Sequence, residues 1–266
     1  MPSPPIDDSV ERVLTLSGSV NCRDLGGLPV SAGGHTRFGV LLRSDALLTL
    51  TPADAERLRR LPLTTVIDLR EEVERTRDRS ALSGRDGIDE HHVPIWLPIH
   101  DAGWPPVDPW DLSGWYHAAL DHAGAAFALA VERLAAATGA ALFHCTVGKD
   151  RTGLLAALVL EGVGVGRGDV VGDYVLTHDR IDPIRTRLVA DAEAHGIDPV
   201  DFARLLGAEA ETLASALEHL DRRYGGAAAY LLAAGVREES LARLSARLVE
   251  HGPANDGTTA AHAEDE

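Results

Sequence analysis

The chain has 266 residues, of which 45% are hydrophobic, 25% charged and 5% aromatic, enough for one ordinary α/β core or for two small domains. This composition excludes collagen, coiled coil and wholesale disorder. The 41 acidic residues exceed the 25 basic ones, and the resulting net charge of −16 repels nucleic acid and anionic membrane surfaces, so any bound phosphate needs a local cluster of donors.

No stretch reaches the roughly 18 uninterrupted apolar residues that a bilayer helix needs. Residues 1–10 carry acids and prolines where a signal peptide needs a basic head and an apolar centre. We therefore expect a cytoplasmic protein with no nucleic-acid partner and no stable membrane insertion, while export without a cleavable leader stays open. Cys22 and Cys145 are too few for a disulfide framework and form no zinc motif.

The first two-thirds of the chain alternates short β-branched runs with helical patterns. Strands are predicted at 38–42, 64–69, 92–97 and 140–143. A helix begins at Thr51 and Pro52, because a hydroxyl caps the first turn and proline there has no N–H to lose. A loop at 100–110 precedes a long Ala-rich helix that reaches Ala137. Strands separated by helices indicate an α/β fold, with a mostly parallel sheet flanked by helices on both faces.

From about residue 166 the strand signals vanish and leucines recur at helical spacing. These positions are Leu213, Leu217 and Leu220, and later Leu241, Leu244, Leu248 and Val249. The last third therefore predicts helices that pack on the sheet, with no linker to mark a second domain. We expect a flexible N-terminus at 1–12, one domain at 13–251 and a disordered tail at 252–266.

A phosphate-binding pattern follows the last predicted strand. From residue 143 the sequence reads Phe-His-Cys-Thr-Val-Gly-Lys-Asp-Arg-Thr-Gly, which predicts a strand ending at Cys145, a turn to Arg151 and an apolar helix at 152–160. A tight loop at a helix start points several backbone N–H groups inward, and the helix dipole adds positive charge there. Arg151 contributes a planar fork for two phosphate oxygens. The segment thus suits a phosphate dianion.

The same donors favour the thiolate form of Cys145. This thiolate would attack phosphorus and form a phosphocysteine, and water would then release inorganic phosphate, with no metal or cofactor required. The phosphate would be held by the loop residues Thr146, Val147, Gly148 and Lys149, together with Arg151. Thr152 would donate its hydroxyl to the cysteine sulfur. Lys149, the only lysine of the chain, would contact a second phosphate or another acidic group of the substrate.

The His-Cys-x5-Arg-Thr-Gly loop resembles the signature of the cysteine-dependent protein tyrosine phosphatase superfamily. Further segments are similar to its bacterial branch of tyrosine and lipid phosphatases, whose loop reads Gly-Lys-Asp-Arg. They are Asn21-Cys-Arg-Asp-Leu-Gly-Gly, Leu42-Arg-Ser-Asp-Ala-Leu, Val66-Ile-Asp-Leu-Arg-x-x-x-Glu, Tyr230-Leu and Gly235-Val, so the resemblance covers roughly residues 20–250.

The resemblance implies a protein tyrosine phosphatase-like fold and hydrolysis of phosphotyrosine, with phosphoserine or phosphothreonine as further substrates. A phosphoinositide or another small phosphomonoester is the rival substrate, because Lys149 resembles the lysine of lipid-directed relatives. A non-catalytic module that binds phosphorylated partners is a second rival, against which the intact Cys145 and Arg151 argue. The oligomeric state stays open.

The general acid departs from the superfamily pattern, because the usual Trp-Pro-Asp motif is absent from this sequence. In the bacterial branch the acid is the aspartate inside the signature loop, so the resemblance implies Asp150. Asp101 and Asp108, in the loop at 100–110, remain alternatives by position.

Other polar residues favour structural interpretations. Asp68 and Arg70 are predicted to form a structural ion pair, His144 to orient the loop, and the charge run at 71–79 to be a solvated helix face. Cys22 is interpreted as a small apolar residue. Arg180, Arg185 and Arg187 are interpreted either as surface charge or as part of a helical lid over the pocket, and the resemblance slightly favours the lid.

Overall fold

The computed structural model describes residues 12–96 and 110–251. The strands in this part of the chain are β1 (Arg23–Asp24), β2 (His35–Thr36), β3 (Leu41–Ser44), β4 (Leu63–Asp68), β5 (Asp89–His92), β6 (Ala140–His144) and β7 (Val249–Glu250). Five of them form one sheet in the order β1-β3-β6-β4-β5, in which β1 is antiparallel to β3 and the other pairs are parallel. The predicted mostly parallel sheet is confirmed.

The described part of the chain also contains ten helices. They are α1 (Pro52–Arg59), α2 (Glu72–Arg77), α3 (Leu112–His122), α4 (Gly124–Ala136), α5 (Asp150–Gly162), α6 (Arg167–Ala194), α7 (Pro199–Leu205), α8 (Ala210–Tyr224), α9 (Ala227–Ala233) and α10 (Glu238–Leu248). Within the described ranges, no helix combines the length and the apolar character needed to cross a membrane.

Alternate residues of β6 face opposite sides of the sheet, and both sides are buried. Ala141 and Phe143 belong to one hydrophobic cluster, whereas Ala140 and Leu142 belong to another. A strand covered on both faces requires an uninterrupted apolar run, which is the signal at 140–143. Because β6 is the central strand, the residues that follow it lie at the carboxyl edge of the sheet, between the ends of its neighbours.

Two predicted strands were displaced. The strand expected at 38–42 lies at Leu41–Ser44, because Gly39 is still in a turn, with a φ of 71° and an N–H that donates to Asp24 Oδ2 (2.6 Å). The strand expected at 92–97 lies earlier, at Asp89–His92. That strand is a polar edge strand, so its sequence gives no apolar signal.

The helix at Thr51 is confirmed, since its hydroxyl accepts the N–H of Asp54 in a capping box. The long helix predicted up to Ala137 is instead two helices, α3 and α4, that separate at Ala123. The two helices have different partners, because α3 packs on α8 and α4 packs on α10. The chain changes direction at Ala123 so that both contacts can form.

The helical last third is also confirmed, with Leu213, Leu217 and Leu220 all buried on α8. The prediction fails at the end, where Val249 leaves the helical pattern and pairs with Thr36 in a small antiparallel sheet of β2 and β7. Outside the described residues lie nearly all of the expected N-terminal segment 1–12, the tail 252–266 and most of the loop 100–110.

Candidate active site

The predicted catalytic loop lies between β6 and α5. Cys145 follows the last residue of β6 and is 3% exposed, and α5 begins at Asp150. Gly148 has a φ of 73°, and a Cβ there would lie 2.6 Å from the carbonyl oxygen of Ser44. Both the backbone conformation and the lack of space therefore require glycine at this position.

The back of the loop is held by side chains from the N-terminal region. Asn21 Nδ2 donates to the carbonyl oxygens of Val147 (2.9 Å) and Gly148 (3.1 Å), and Arg43 Nη2 also donates to Gly148 O (2.8 Å). The backbone N–H of Ala46 donates to Thr146 O (3.1 Å). In a trans peptide the N–H points opposite to the C=O. The N–H groups that follow these carbonyls therefore point to the other side of the loop, as an anion cradle requires.

Arg151 lies beside this cradle with one edge of its guanidinium occupied. Its Nη1 and Nη2 donate to the two carboxylate oxygens of Glu74, at 2.5 and 2.8 Å. Its Nε is buried and has no hydrogen-bond partner among the described residues. Its Nη2 also donates to Thr146 Oγ1 (3.4 Å), so Nε is the donor of this guanidinium that remains for a phosphate oxygen.

Glu74 corrects the interpretation of the charge run at 71–79 as a solvated face. Its carboxylate bonds to Arg151 and also accepts the hydroxyl of Thr146. Burial alone would raise the pKa of Glu74, but hydrogen bonds and charge from Arg151 lower it to about 2. Burial likewise opposes ionisation of Arg151, yet Glu74 and Cys145 raise the pKa of its guanidinium above the usual value. The sequence signal for Glu74 was the last residue of the Val66-Ile-Asp-Leu-Arg-x-x-x-Glu segment.

Asp150 is the first residue of α5, with its side chain 26% exposed. Its Oδ1 accepts the hydroxyl of Tyr116 (2.8 Å), which in turn bonds to the hydroxyl of Tyr174 (2.8 Å). Burial and the charge of Asp150 raise the pKa of Tyr116, so this phenol remains a donor at neutral pH. Sequence reasoning missed both tyrosines, because nothing in a single tyrosine of a helix distinguishes this contact from core packing.

Lys149 does not line the pocket. Its ammonium donates to Leu205 O at the end of α7 and to Gly207 O (3.0 Å), and lies 3.1 Å from Asp150 Oδ1. The side chain is 2% exposed. In this structure Lys149 joins the catalytic loop to the end of α7, and its contact with a second phosphate stays a prediction.

Thr152 and His144 flank the loop on its buried side. Thr152 Oγ1 is buried without a hydrogen-bond partner among the described residues, so the expected donation to the Cys145 sulfur is not formed here. His144 Nδ1 lies 3.2 Å from Cys145 O, which agrees with a loop-orienting role. Burial lowers the pKa of His144, so its ring is neutral. The predicted ion pair between Asp68 and Arg70 is confirmed, with a buried contact of 2.6 Å.

A cavity of about 210 Å³ opens over the loop. It is lined by Glu71, Glu74, Leu112, Trp115, Thr146, Val147, Asp150, Arg151, Phe202, Leu205 and Leu206. Its apolar wall comes from α3, from α7 and from the residue after α7. The expected lid arginines at 180, 185 and 187 are absent from this lining, although Arg187 lines another cavity, of about 460 Å³, that also reaches Thr146 and Val147. The alternative acids Asp101 and Asp108 lie outside the described residues.

A larger cavity, of about 610 Å³, lies far from the loop, between α1 and the start of β4. Among its lining residues are Glu56, Arg59, Arg85 and Asp86, and none comes from the loop between β6 and α5; Cys145 itself lines neither cavity. The smaller cavity is the candidate site, because it alone of the two joins the arginine fork to the loop.

Comparisons with known proteins identify a family and relatives of this chain. A profile of the tyrosine phosphatase family matches residues 14–250. The triple specificity protein phosphatase PtpB of Mycobacterium tuberculosis is 32% identical over 274 residues, which cover 87% of this chain and 97% of that protein. A tyrosine-protein phosphatase of Nostoc commune is 31% identical over 225 residues, covering 79% of this chain and 74% of that protein.

Among solved structures, that of P. aeruginosa TpbA in complex with pTyr covers 67% of this chain and 92% of that chain. Its sequence identity is 22% and its TM-score is 0.35, a likeness too slight to carry an inference.

Proposed function

The chain belongs to the tyrosine phosphatase family, and we propose that it hydrolyses phosphotyrosine through a phosphocysteine at Cys145. The observation that supports this most directly is the buried Nε of Arg151, which has no partner among the described residues. A buried Nε without a partner is costly unless a ligand satisfies it. A phosphate bound between this Nε and the loop N–H groups would place its phosphorus next to the sulfur.

The reaction then proceeds as two displacements. In the first, the Cys145 thiolate attacks phosphorus, the S–P bond forms, and the P–O bond to the phenol breaks with its electron pair leaving on oxygen. In the second, water attacks phosphorus, the S–P bond breaks, and the thiolate and inorganic phosphate are released. The transition states spread charge over three equatorial oxygens, which the loop N–H groups and Arg151 stabilise.

Asp150 is the proposed general acid. It lines the cavity, and its Oδ1 is already held by Tyr116 and Lys149, which leaves Oδ2 for the leaving oxygen. In the first step this carboxyl gives its proton to the departing phenolate, and in the second it takes a proton from the attacking water.

The apolar wall of the cavity supports an aromatic leaving group as substrate. Leu112, Trp115 and Phe202 flank the loop and would contact the ring of a phosphotyrosine. Hydrolysis of phosphoserine or phosphothreonine belongs to the same proposal, and the triple specificity in the name of PtpB supports this breadth. A phosphoinositide is less favoured, because the ammonium of Lys149 already contacts two carbonyl oxygens. A cytoplasmic location is part of the proposal and agrees with two free, buried thiols.

The decisive experiment is hydrolysis of p-nitrophenyl phosphate by the wild-type protein and by Cys145→Ser, with Cys22→Ala as the matched control. We expect Cys145→Ser to lose activity by about 10⁴-fold or more, because no nucleophile remains. Cys22→Ala should keep it, since that thiol lies in a separate hydrophobic cluster. Equal rates for the wild type and Cys145→Ser would refute the nucleophile. Absence of activity in the wild type would favour a phosphate-binding module.

The substrate class is decided by comparing turnover of a phosphotyrosine peptide with that of a phosphoinositide presented in detergent micelles. We expect the peptide to be hydrolysed faster. Hydrolysis of the lipid alone would overturn the proposed substrate and leave the nucleophile in place.

A further inference from the structure

A buried group of charges lies behind the catalytic loop, on the side away from the cavity. We define the arginine cluster as Arg12, Arg23 and Arg43 with Asp173, all between 1% and 5% exposed. Asp173 Oδ1 lies 3.0 Å from Arg23 Nε and also contacts Arg12 Nη2, while Asp173 Oδ2 lies 2.7 Å from Arg43 Nη1. One carboxylate on α6 therefore binds three guanidinium groups.

This cluster holds more positive than negative charge. Three cations against the one carboxylate that binds all of them leave an excess of positive charge, which Asp24 offsets in part through its interaction with Arg12. Burial of such charge is costly, and an apolar cluster of similar volume would often be more stable. Burial, followed by repulsion from Arg23, lowers the pKa of Arg43 to about 10, so the guanidinium remains charged at neutral pH. Stability alone gives no reason for this excess.

The excess charge contacts the catalytic loop directly. Arg43 Nη2 donates to Gly148 O (2.8 Å), and Arg23 Nη1 donates to Asn21 Oδ1 (2.5 Å), whose Nδ2 bonds to the same carbonyl. Arg43 therefore contacts the backbone of the loop three residues after Cys145.

Other charges near Cys145 are paired. On the cavity side Arg151 is matched by Glu74, and beneath β6 Arg70 is matched by Asp68. His144 is neutral, as its lowered pKa indicates. Two acidic groups complete the surroundings: Asp45, held by the hydroxyl of Ser19, and Asp150, held by Tyr116 and Lys149. Within the described residues, the arginine cluster is therefore where unmatched positive charge meets the loop.

We propose that the arginine cluster, acting through Arg43, stabilises the thiolate of Cys145, and that Asp173 sets how much positive charge the loop experiences. Arg43 and Asp173 are positioning residues, since neither lines the cavity. The inference rests on the proposed function of Cys145 as nucleophile. It assigns an electrostatic role to the Asn21-Cys-Arg and Leu42-Arg segments, which the phosphatase chemistry does not otherwise use.

The test compares Arg43→Met with Asp173→Asn, in a Cys22→Ala background so that Cys145 is the only thiol. Both substitutions break the same ion pair, so a purely structural role changes both variants in the same direction. The electrostatic role changes them in opposite directions, because one removes a positive charge and the other a negative charge. The measurement is the alkylation rate of Cys145 by iodoacetamide between pH 5 and 9.

We expect the midpoint of the alkylation profile to move up by about one pH unit in Arg43→Met and down by a similar amount in Asp173→Asn. Arg43→Lys should restore a midpoint near that of the wild type, because it keeps the charge. Shifts of the same sign, or no shift in either variant, would overturn the proposal.

If either buried variant fails to fold, Arg12→Gln replaces it in the test. Arg12 is the most exposed member of the cluster, at 5%, so its substitution should disturb the fold least. Its loss should shift the midpoint upward by a smaller amount, and an unchanged midpoint would overturn the proposal. Alkylation needs no phosphatase activity, so the two proposals fail separately. Hydrolysis by Cys145→Ser refutes the nucleophile, whereas an inactive Cys145→Ser with same-sign midpoint shifts refutes only the cluster.

Discussion

The two sides of the catalytic loop differ in how completely the protein itself satisfies their hydrogen-bonding groups. On the back of the loop, Asn21 and Arg43 donate hydrogen bonds to the loop carbonyl oxygens. Asp173 binds the arginines there, in a region almost closed to solvent. On the cavity side, Arg151 keeps its Nε without a partner among the described residues, and the side chain of Asp150 is 26% exposed. The hydrogen-bonded back sets the shape of the loop, and the cavity side keeps an unpartnered donor for substrate.

This division predicts different consequences for similar substitutions. Changes on the back should reduce stability, and should affect the chemistry only through the charge at Cys145. Changes on the cavity side should reduce turnover more than stability, and the pair of Arg151 and Glu74 is the part of that side that also stabilises the fold.

Among changes to the residues around Cys145, the largest effect should come from Arg151→Lys, a change on the cavity side that keeps the charge but loses the two-pronged contact. We expect kcat/KM for p-nitrophenyl phosphate to fall by about 10³-fold, while the retained charge keeps part of the pairing with Glu74 and limits the loss of Tm. The matched control on the back is Arg23→Lys, which loses bonds to Asp173 and Asn21. It should lower Tm while kcat/KM stays within about tenfold. A larger activity loss in Arg23→Lys than in Arg151→Lys would contradict the division.

The next effect concerns proton transfer by Asp150. Asp150→Asn should slow aryl phosphates with poor leaving groups by about 10²-fold, and those with good leaving groups much less, because a stable phenolate needs no proton. The measurement is kcat for a series of substituted phenyl phosphates. Asp101→Asn and Asp108→Asn are the matched variants. If either one, and not Asp150→Asn, changes the dependence on leaving group, the acid is in that loop.

The smallest effect is the pH dependence of stability due to Glu74. Its pKa is about 2 in the folded protein, below the ordinary 4.5, so its contribution is present above pH 4.5 and is lost as the pH falls toward 2. Between pH 5 and pH 3 the wild type should lose about 2 kcal/mol of unfolding free energy from this group.

Urea unfolding at several pH values tests this contribution. Glu74→Gln should give a flatter profile than the wild type across the same range. Glu72→Gln removes the same charge from an exposed position of the same helix and should retain the wild-type slope. Identical slopes in Glu74→Gln and Glu72→Gln would mean that the pair with Arg151 does not stabilise the fold.

The centre of the molecule was predictable from the sequence, because its signals are local. The apolar run of β6, the loop after it and the capping box at Thr51 are each encoded within a few residues. The edge strand β5 was misplaced because an edge strand can be polar along its whole length. Local patterns therefore locate buried strands better than edge strands.

Partners distant in sequence were not predictable in the same way. Glu74 lies in a charge run that is typical of a solvated helix face. Its role becomes clear from the structure, in which its carboxylate accepts hydrogen bonds from Arg151. Lys149 was recognised as unusual, but its contact with Gly207 depends on where α7 ends. The sequence did not indicate that the apolar residues of α7 face the loop. The cavity wall that they form also contains residues of α3, which lie far away in the sequence.

Lys149 has a practical consequence because it is the only lysine of the chain and its side chain is 2% exposed. An endoproteinase specific for lysine has one target in the whole protein, and in the folded state that target is protected within the catalytic loop. Cleavage into fragments 1–149 and 150–266 therefore reports the opening of this loop alone. For the same reason, isotopic labelling of lysine gives a single NMR probe, located where the catalytic loop meets the end of α7.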